Sequence, residues 1–212
     1  MNLYFDTEFT GLVPNTTLIS LGIVAETGEK FYAEFSDFNE LLVTPWIEEN
    51  VLQNLWLLPN DKSTAFQFDK ENLLWYHKGN TEQMRDALLI WLDHVRKDGD
   101  RIQFVSDVCH YDFYLLQNQV FGGAFKMPDY INPVCYDICQ DICEWVYMGV
   151  GNNFNRTENM HNAFDVSREE LVETFTEGKG IPSGKKHNAL YDAEIIKSLY
   201  EFFYNRAYGT KK

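Results

Sequence analysis

The stretch LYFDTEFTGL, residues 3–12, sets two carboxylates, Asp6 and Glu8, one residue apart inside a run of apolar and aromatic side chains. Successive side chains of a strand alternate faces, so residues two apart project the same way, with Cα atoms roughly 6.5–7 Å apart. Asp6 and Glu8 therefore aim at one spot, while Phe5 and Thr7 face the other side. Two like charges at one spot repel and raise each other's pKa unless a cation sits between them. Hard divalent cations such as Mg²⁺ take oxygen ligands of this kind and usually keep waters plus substrate phosphate as the rest of their shell. The bland alternative is the solvated face of an edge strand, and the pair alone does not decide between the two.

The surrounding pattern supplies a fold. Residues 2–8 read as a strand, FTGLVPNT as a turn, 17–25 (TLISLGIVA) as a second apolar, β-branched strand, and 30–35 (KFYAEF) as a third after a tight ETG connection. The start is a three-stranded antiparallel meander. Residues 40–80 are irregular, a variable insertion of helices and loops anchored by Trp46, Trp56 and Trp75. Helical spacing over 81–97 precedes a strand at 102–106. DVCHYDFYLLQNQVF then runs from loop into helix, 136–148 reads as helical, and 187–205 as a long closing helix. A meander followed by alternating helix and strand indicates an α/β sheet of mixed direction with helices on its faces, in one domain spanning residues 1–212.

Composition limits the function classes. A net charge of −14, from 18 Lys and Arg against 32 Asp and Glu, argues against gripping long nucleic acid by a broad phosphate-neutralising surface. There is no basic leader with an apolar run, and no apolar segment approaches the ~20 residues that span a bilayer. The expectation is a cytoplasmic protein without membrane contact. Cys109, Cys135, Cys139 and Cys143 show no CxxC pair, so they read as free thiols. Cys135, Cys139 and Cys143, spaced by four, are expected to form a small apolar stripe on one helix face rather than a metal site with His161.

Two further blocks carry acids where chemistry could use them. FVSDVCHYDFYLL places Asp112 at the start of a helix that follows a strand, with Asp107 just upstream; either could be only a helix cap. HNALYDAEI supplies His187 and, five residues on, Asp192 at the head of the last helix, where an acid is favourable on electrostatic grounds alone.

Taken together and in this order, DTEFTGL, YDFYLL and HNALYDA resemble the three motifs of the DEDDh group of 3′–5′ exonucleases, which share a ribonuclease H-like fold. The middle block lacks the family's usual Asn upstream of the acid, which leaves Asp107 beside Asp112 as a ligand candidate; the apolar YDFYLL surroundings favour Asp112. The stretch FDTEF…LISLGIVAETGEKFYAEFSDF is similar to the start of the RNase AS branch, adenylate-preferring exoribonucleases that act as dimers.

The resemblance implies a catalytic set. Asp6, Glu8, Asp112 and Asp192 would hold two Mg²⁺ ions, with Mn²⁺ able to substitute, and His187 would act as general base, suited by an unperturbed pKa of about 6.5. The Gly- and Lys-rich EGKGIPSGKKH before it implies a mobile loop that closes over substrate. Phe9, Thr10, Gly11 and Leu12 correspond to the pocket for the 3′-terminal nucleotide, with core packing and a turn as the alternative reading. The implied partner is the 3′ end of single-stranded RNA, with DNA as the alternative, and the implied assembly is a homodimer. An enzyme that grips only the last few nucleotides neutralises few phosphates, so the acidic composition is no obstacle. Lys179, Lys185 and Lys186 beside His187, and Arg101 and Lys126 around the second block, are local positives. A catalytically silent binding module on the same fold is the reading from a different class.

Overall fold

The computed structural model describes residues 1–56, 67–147, 167–178 and 180–209. Strand β1 (Asn2–Phe9) pairs antiparallel with β2 (Leu18–Ala25), which pairs antiparallel with β3 (Lys30–Phe35), giving the meander. On the other flank of β1 lies β6 (Gln103–Ser106), parallel to it, followed by the parallel β7 (Tyr136–Asp137). Beyond β3 the sheet gains β5 (Leu74–Gly79), parallel, and β4 (Gln67–Asp69), antiparallel to β5, so the order is β4-β5-β3-β2-β1-β6-β7. This is the mixed sheet of antiparallel meander and parallel strands that the sequence implies.

β2 is buried along its whole length because it lies between two strands and under helices on both faces. On one face, Leu3, Phe5 and Phe104 of the sheet pack with Met84, Leu88 and Trp91 of α2 (Thr81–Val95) and with Phe113 and Leu115 of α3 (Cys109–Leu115). On the other, Tyr4 and Val105 pack with Ile195, Ile196 and Leu199 of α6 (Ala189–Tyr208), with Ile142 of α4 (Cys139–Tyr147) and with Leu171 of α5 (Arg168–Thr176). Each such aliphatic side chain contributes roughly 1.5–3 kcal/mol on burial. Odd residues of β1 face the α2 and α3 layer and even residues the α6 layer, which puts Asp6 and Glu8 on the α6 side.

Several expectations need correction. Residues 40–80 hold not only α1 (Pro45–Asn50) and turns but also β4, at the edge, and β5, inside it, which widen the sheet; Phe68 of β4 is exposed and Trp75 and Tyr76 of β5 are only partly buried, so the run shows no clean alternation of buried and exposed positions. Trp46 and Trp56 do not anchor a core, being 53% and 49% exposed. The helix placed at 136–148 begins only at Cys139, because Tyr136 and Asp137 pair with β6. The cysteine stripe is therefore broken: Cys135 lies before β7 and packs in the α2 and α3 layer, while Cys139 and Cys143 pack in the α6 layer. His161 and Lys179 lie outside the described residues. Among the described residues no helix is long and apolar enough to cross a membrane.

Candidate active site

The parallel neighbour β6 pairs only with Asn2, Leu3 and Tyr4 of β1 before the chain turns away after Ser106. β1 runs on to Phe9, so its second half has β2 on one side and an opening on the other. Such openings at the carboxyl ends of parallel strands are where α/β sheets place their sites. Here the cavity has a volume of about 400 Å³, and its walls include Asp6, Glu8, Phe9, Asp112, His187 and Asp192.

Each side chain arrives by a separate device. Asp6 and Glu8 are set by the β1–β2 register, opposite Gly22 and Ser20. Asp112 sits in the first turn of α3 and is buried; its Oδ1 accepts the Thr7 backbone N–H at 3.1 Å and the Thr7 hydroxyl at 2.5 Å. The carboxylate thus takes the hydrogen bond that a longer β6 would have taken, and Thr7, facing away from Asp6 and Glu8, becomes the link to it.

Asp192 comes on the first turn of α6. That helix reaches the sheet because Gly22 leaves room: a Cβ there would collide with the backbone of Ala189 and Leu190. Since Gly22 is the partner of Asp6, the closest approach of helix to sheet falls beside the β1 carboxylates. Asn188 caps α6 by accepting the Tyr191 N–H at 3.3 Å, and its amide donates to the Asn54 carbonyl at 2.9 Å.

His187 precedes that cap with φ +62°, an uncommon conformation for a residue with a side chain. Its backbone N–H donates to Asp192 Oδ2 at 2.9 Å, its Nδ1 lies 3.9 Å from Glu8 Oε1, and its ring meets the edge of Trp46 at 5.0 Å. Asn54 also donates to the Lys186 carbonyl at 3.0 Å. The C-terminal end of the loop expected to be mobile is thus pinned from both sides.

The electrostatics fit a cation-binding site. Burial first, then the charges of Asp112 and Asp192, hold the Asp6 carboxyl well above its ordinary value. Burial and the same two neighbours do likewise for Glu8. Asp112 is raised to about 7 by burial against the opposing pull of its Thr7 hydrogen bonds, and Asp192 to about 7 by burial against that of the His187 N–H. Four acids are thereby packed where each opposes ionisation of the next, an arrangement that a divalent cation reverses. The oxygen-rich donor set suits a hard ion, and ligand atoms of Glu8, His187 and Asp192 lie within 4.8 Å of one another. Burial, with Lys186 next, lowers the His187 pKa and keeps the imidazole neutral and able to accept a proton near neutral pH.

Of the four residues assigned to the terminal nucleotide, Phe9 lines the cavity and stacks on Tyr111 with ring centroids 5.7 Å apart. The Thr10 hydroxyl is turned into the β1–β2 connection, where it accepts the Thr17 N–H at 2.9 Å. Gly11, at φ +138°, has open space where a side chain would be, and Leu12 is 69% exposed. Trp46, which the sequence offers only as an anchor of the insertion, and Arg168 and Glu169, which it does not mark at all, also line the cavity. Trp46 carried a usable signal, a large aromatic in an irregular segment; Arg168 and Glu169 carried none. Among the described residues, the cations in the cavity wall are Arg168 and Lys186, whereas Arg101 and Lys126 are not part of it.

The sequence profile described as "3'-5' exoribonuclease Rv2179c-like domain" matches residues 1–203. Over 172 residues the chain is 28% identical to the 3′–5′ exoribonuclease Rv2179c of Mycobacterium tuberculosis, spanning 81% of this chain and 89% of that protein. Among solved structures, Pop2p of S. pombe in its Mg²⁺- and Mn²⁺-bound form is 14% identical with a TM-score of 0.48, covering 100% of this chain and 86% of that one. The Neurospora crassa Pan2 catalytic unit, comprising protease and nuclease domains, is 13% identical with a TM-score of 0.49, covering 98% of this chain and 28% of that one.

Proposed function

We propose, starting from the premise that this chain belongs to the family of Rv2179c-like 3′–5′ exoribonuclease domains, that it releases nucleoside monophosphates from the 3′ end of single-stranded RNA by DEDDh chemistry. Membership carries the enzyme class, a 3′–5′ exonuclease acting on RNA. The observation that supports the finer reading is the convergence of Asp6, Glu8, Asp112, His187 and Asp192, from three distant segments, on one cavity.

In this reading the four acids hold a pair of divalent cations, Mg²⁺ or Mn²⁺, which when bound supply activation of the attacking water and charge stabilisation at the leaving oxygen. The remaining work belongs to the chain. Thr7 fixes the orientation of Asp112 through two hydrogen bonds, so that its carboxylate faces Asp6 without a rotamer search. His187 accepts the proton of the attacking water; its backbone bond to Asp192 and the Trp46 edge hold the imidazole over the Glu8 side of the cavity. Phe9 and Tyr111 offer an aromatic surface beside the acids, suited to the terminal base. Leu12, Thr10 and Gly11 shape the turn next to it rather than the cavity wall itself.

A preference for adenylate and action as a homodimer follow from the likeness to the RNase AS branch, and a cytoplasmic location accompanies them. Parallel digestion of poly(A), mixed-sequence RNA and DNA oligomers by the purified protein tests the substrate reading. Fastest shortening of poly(A), slower shortening of mixed RNA and little of DNA is the expected order. DNA cleaved as fast as RNA would replace it with the exodeoxyribonuclease reading.

A further inference from the structure

The cavity wall carries a carboxylate that the cation-binding set does not use, Asp107, at the end of β6. It is near enough that its charge helps to raise both Asp6 and Asp112. What distinguishes it is its partner. Arg168, the first residue of α5, donates from Nε to Asp107 Oδ2 at 2.5 Å and from Nη2 to Oδ1 at 3.0 Å. This is a two-bond fork between side chains only 14% and 17% exposed.

The turn that follows Asp107 is pinned on its other flank as well. Asp137, at the end of β7, accepts the Val108 N–H at 3.0 Å and the Cys109 N–H at 3.2 Å. Such anchoring is needed, because Val108 adopts φ +56°, a left-handed conformation that a β-branched residue rarely takes. The strained turn separates Asp107, drawn towards Arg168, from Asp112, drawn towards Thr7.

We propose that Arg168 is a positioning residue: by clamping Asp107 it keeps that carboxylate out of the cation site and leaves Asp112 as the ligand from this segment. The inference rests on the cation-binding reading of the site. A carboxylate freed from its guanidinium is as good an oxygen ligand as its neighbours. Without Arg168, Asp107 adds its charge to the cluster and competes for the ions, so that cations are held but in the wrong place.

The test is Mn²⁺ binding by calorimetry, in the absence of RNA, together with turnover on 3′-labelled RNA. It compares the wild type, Arg168→Ala, Asp107→Asn and the double variant. Arg168→Ala is expected to bind Mn²⁺ at least as tightly as the wild type while kcat falls about tenfold or more, since small misplacement at a reacting centre is costly. Adding Asp107→Asn returns both quantities to within about threefold of the wild type, and Asp107→Asn alone stays within the same range. Loss of Mn²⁺ binding in Asp107→Asn would overturn the proposal, because Asp107 would then be a ligand. So would a double variant as slow as Arg168→Ala. Should Arg168→Ala not fold, Arg168→Lys replaces the fork by a single point charge, and the same rescue by Asp107→Asn is expected. A wild type that binds Mn²⁺ but leaves RNA intact refutes the exonuclease reading, while the affinity comparison still decides the role of Arg168.

Discussion

Asp6 and Glu8 reach the cavity from the middle of a sheet, whereas His187 and Asp192 reach it from a loop and a helix end, and different physics holds the two pairs. The first pair is fixed by a ladder of backbone hydrogen bonds to β2 and needs no particular neighbour beyond the strand itself. The second depends on a close approach, made possible where β2 has Gly22, and on side-chain bonds through Asn188 and Asn54. A strand therefore supplies carboxylates whose position is insensitive to single contacts, while the helix end supplies groups whose position can be lost by one substitution.

Asp6 has the charges of Asp112, Asp192 and Glu8 around it, and its removal should have the largest effect. Asp6→Ala is expected to lower turnover by on the order of a thousandfold or more, while the metal-free protein becomes more stable because one of four mutually repelling acids is gone. Activity on labelled RNA and melting in EDTA measure the two effects. A matched loss of both would mean that Asp6 is structural.

His187→Ala is the corresponding change on the helix side. Turnover should fall by roughly a hundredfold or more, the scale of general-base catalysis, with Mn²⁺-induced thermal stabilisation retained. Unchanged turnover would remove His187 from the mechanism.

Gly22→Ala sharpens the contrast further, because it touches only the approach of α6. The new methyl meets backbone at Ala189 and Leu190, so the helix must shift, at a cost of about 1–3 kcal/mol typical of overpacking. Mn²⁺ affinity and turnover should fall with it, although no ligand is changed. Wild-type activity in Gly22→Ala would show that the helix end tolerates displacement.

Stability should also depend on pH. Asp112 and Asp192 are held at about 7 in the folded protein against an ordinary value of 3.8, so the folded state binds their protons more tightly. The resulting stability is fully present below about pH 4 and is lost as pH rises through about 7. Melting temperature in EDTA should fall across that window, and Mn²⁺ should flatten the fall by favouring the ionised acids. A pH-independent melting curve in EDTA would contradict it.

The asymmetry between the two pairs also explains what could be read from the chain. β1, β2, β3, α2, α3 and α6 are legible because alternation and helical spacing are local properties, and all five candidate catalytic residues stand in or next to such elements. β4 and β5 are not legible, since a three-residue edge strand and a partly exposed neighbour carry little alternation, and β7 is only two residues long. Arg168 and Glu169 became part of the site only through packing over long sequence separations, with nothing local to mark them. Gly22 reads in the sequence as an ordinary strand glycine; its role appears only when α6 lies on it. Thr10 carries a second role that its motif position does not show, its hydroxyl serving the β1–β2 connection.

On the proposed reading, these five side chains make a metal-dependent 3′-end nuclease. The most direct measurement is a time course on single-stranded RNA labelled at its 5′ end, with Mg²⁺ or Mn²⁺, with EDTA, and with Asp6→Ala protein. The account predicts a ladder that shortens stepwise from the 3′ end and is abolished by both EDTA and the substitution. Shortening that persists in EDTA, or internal cleavage that leaves the 3′ end intact, would contradict it.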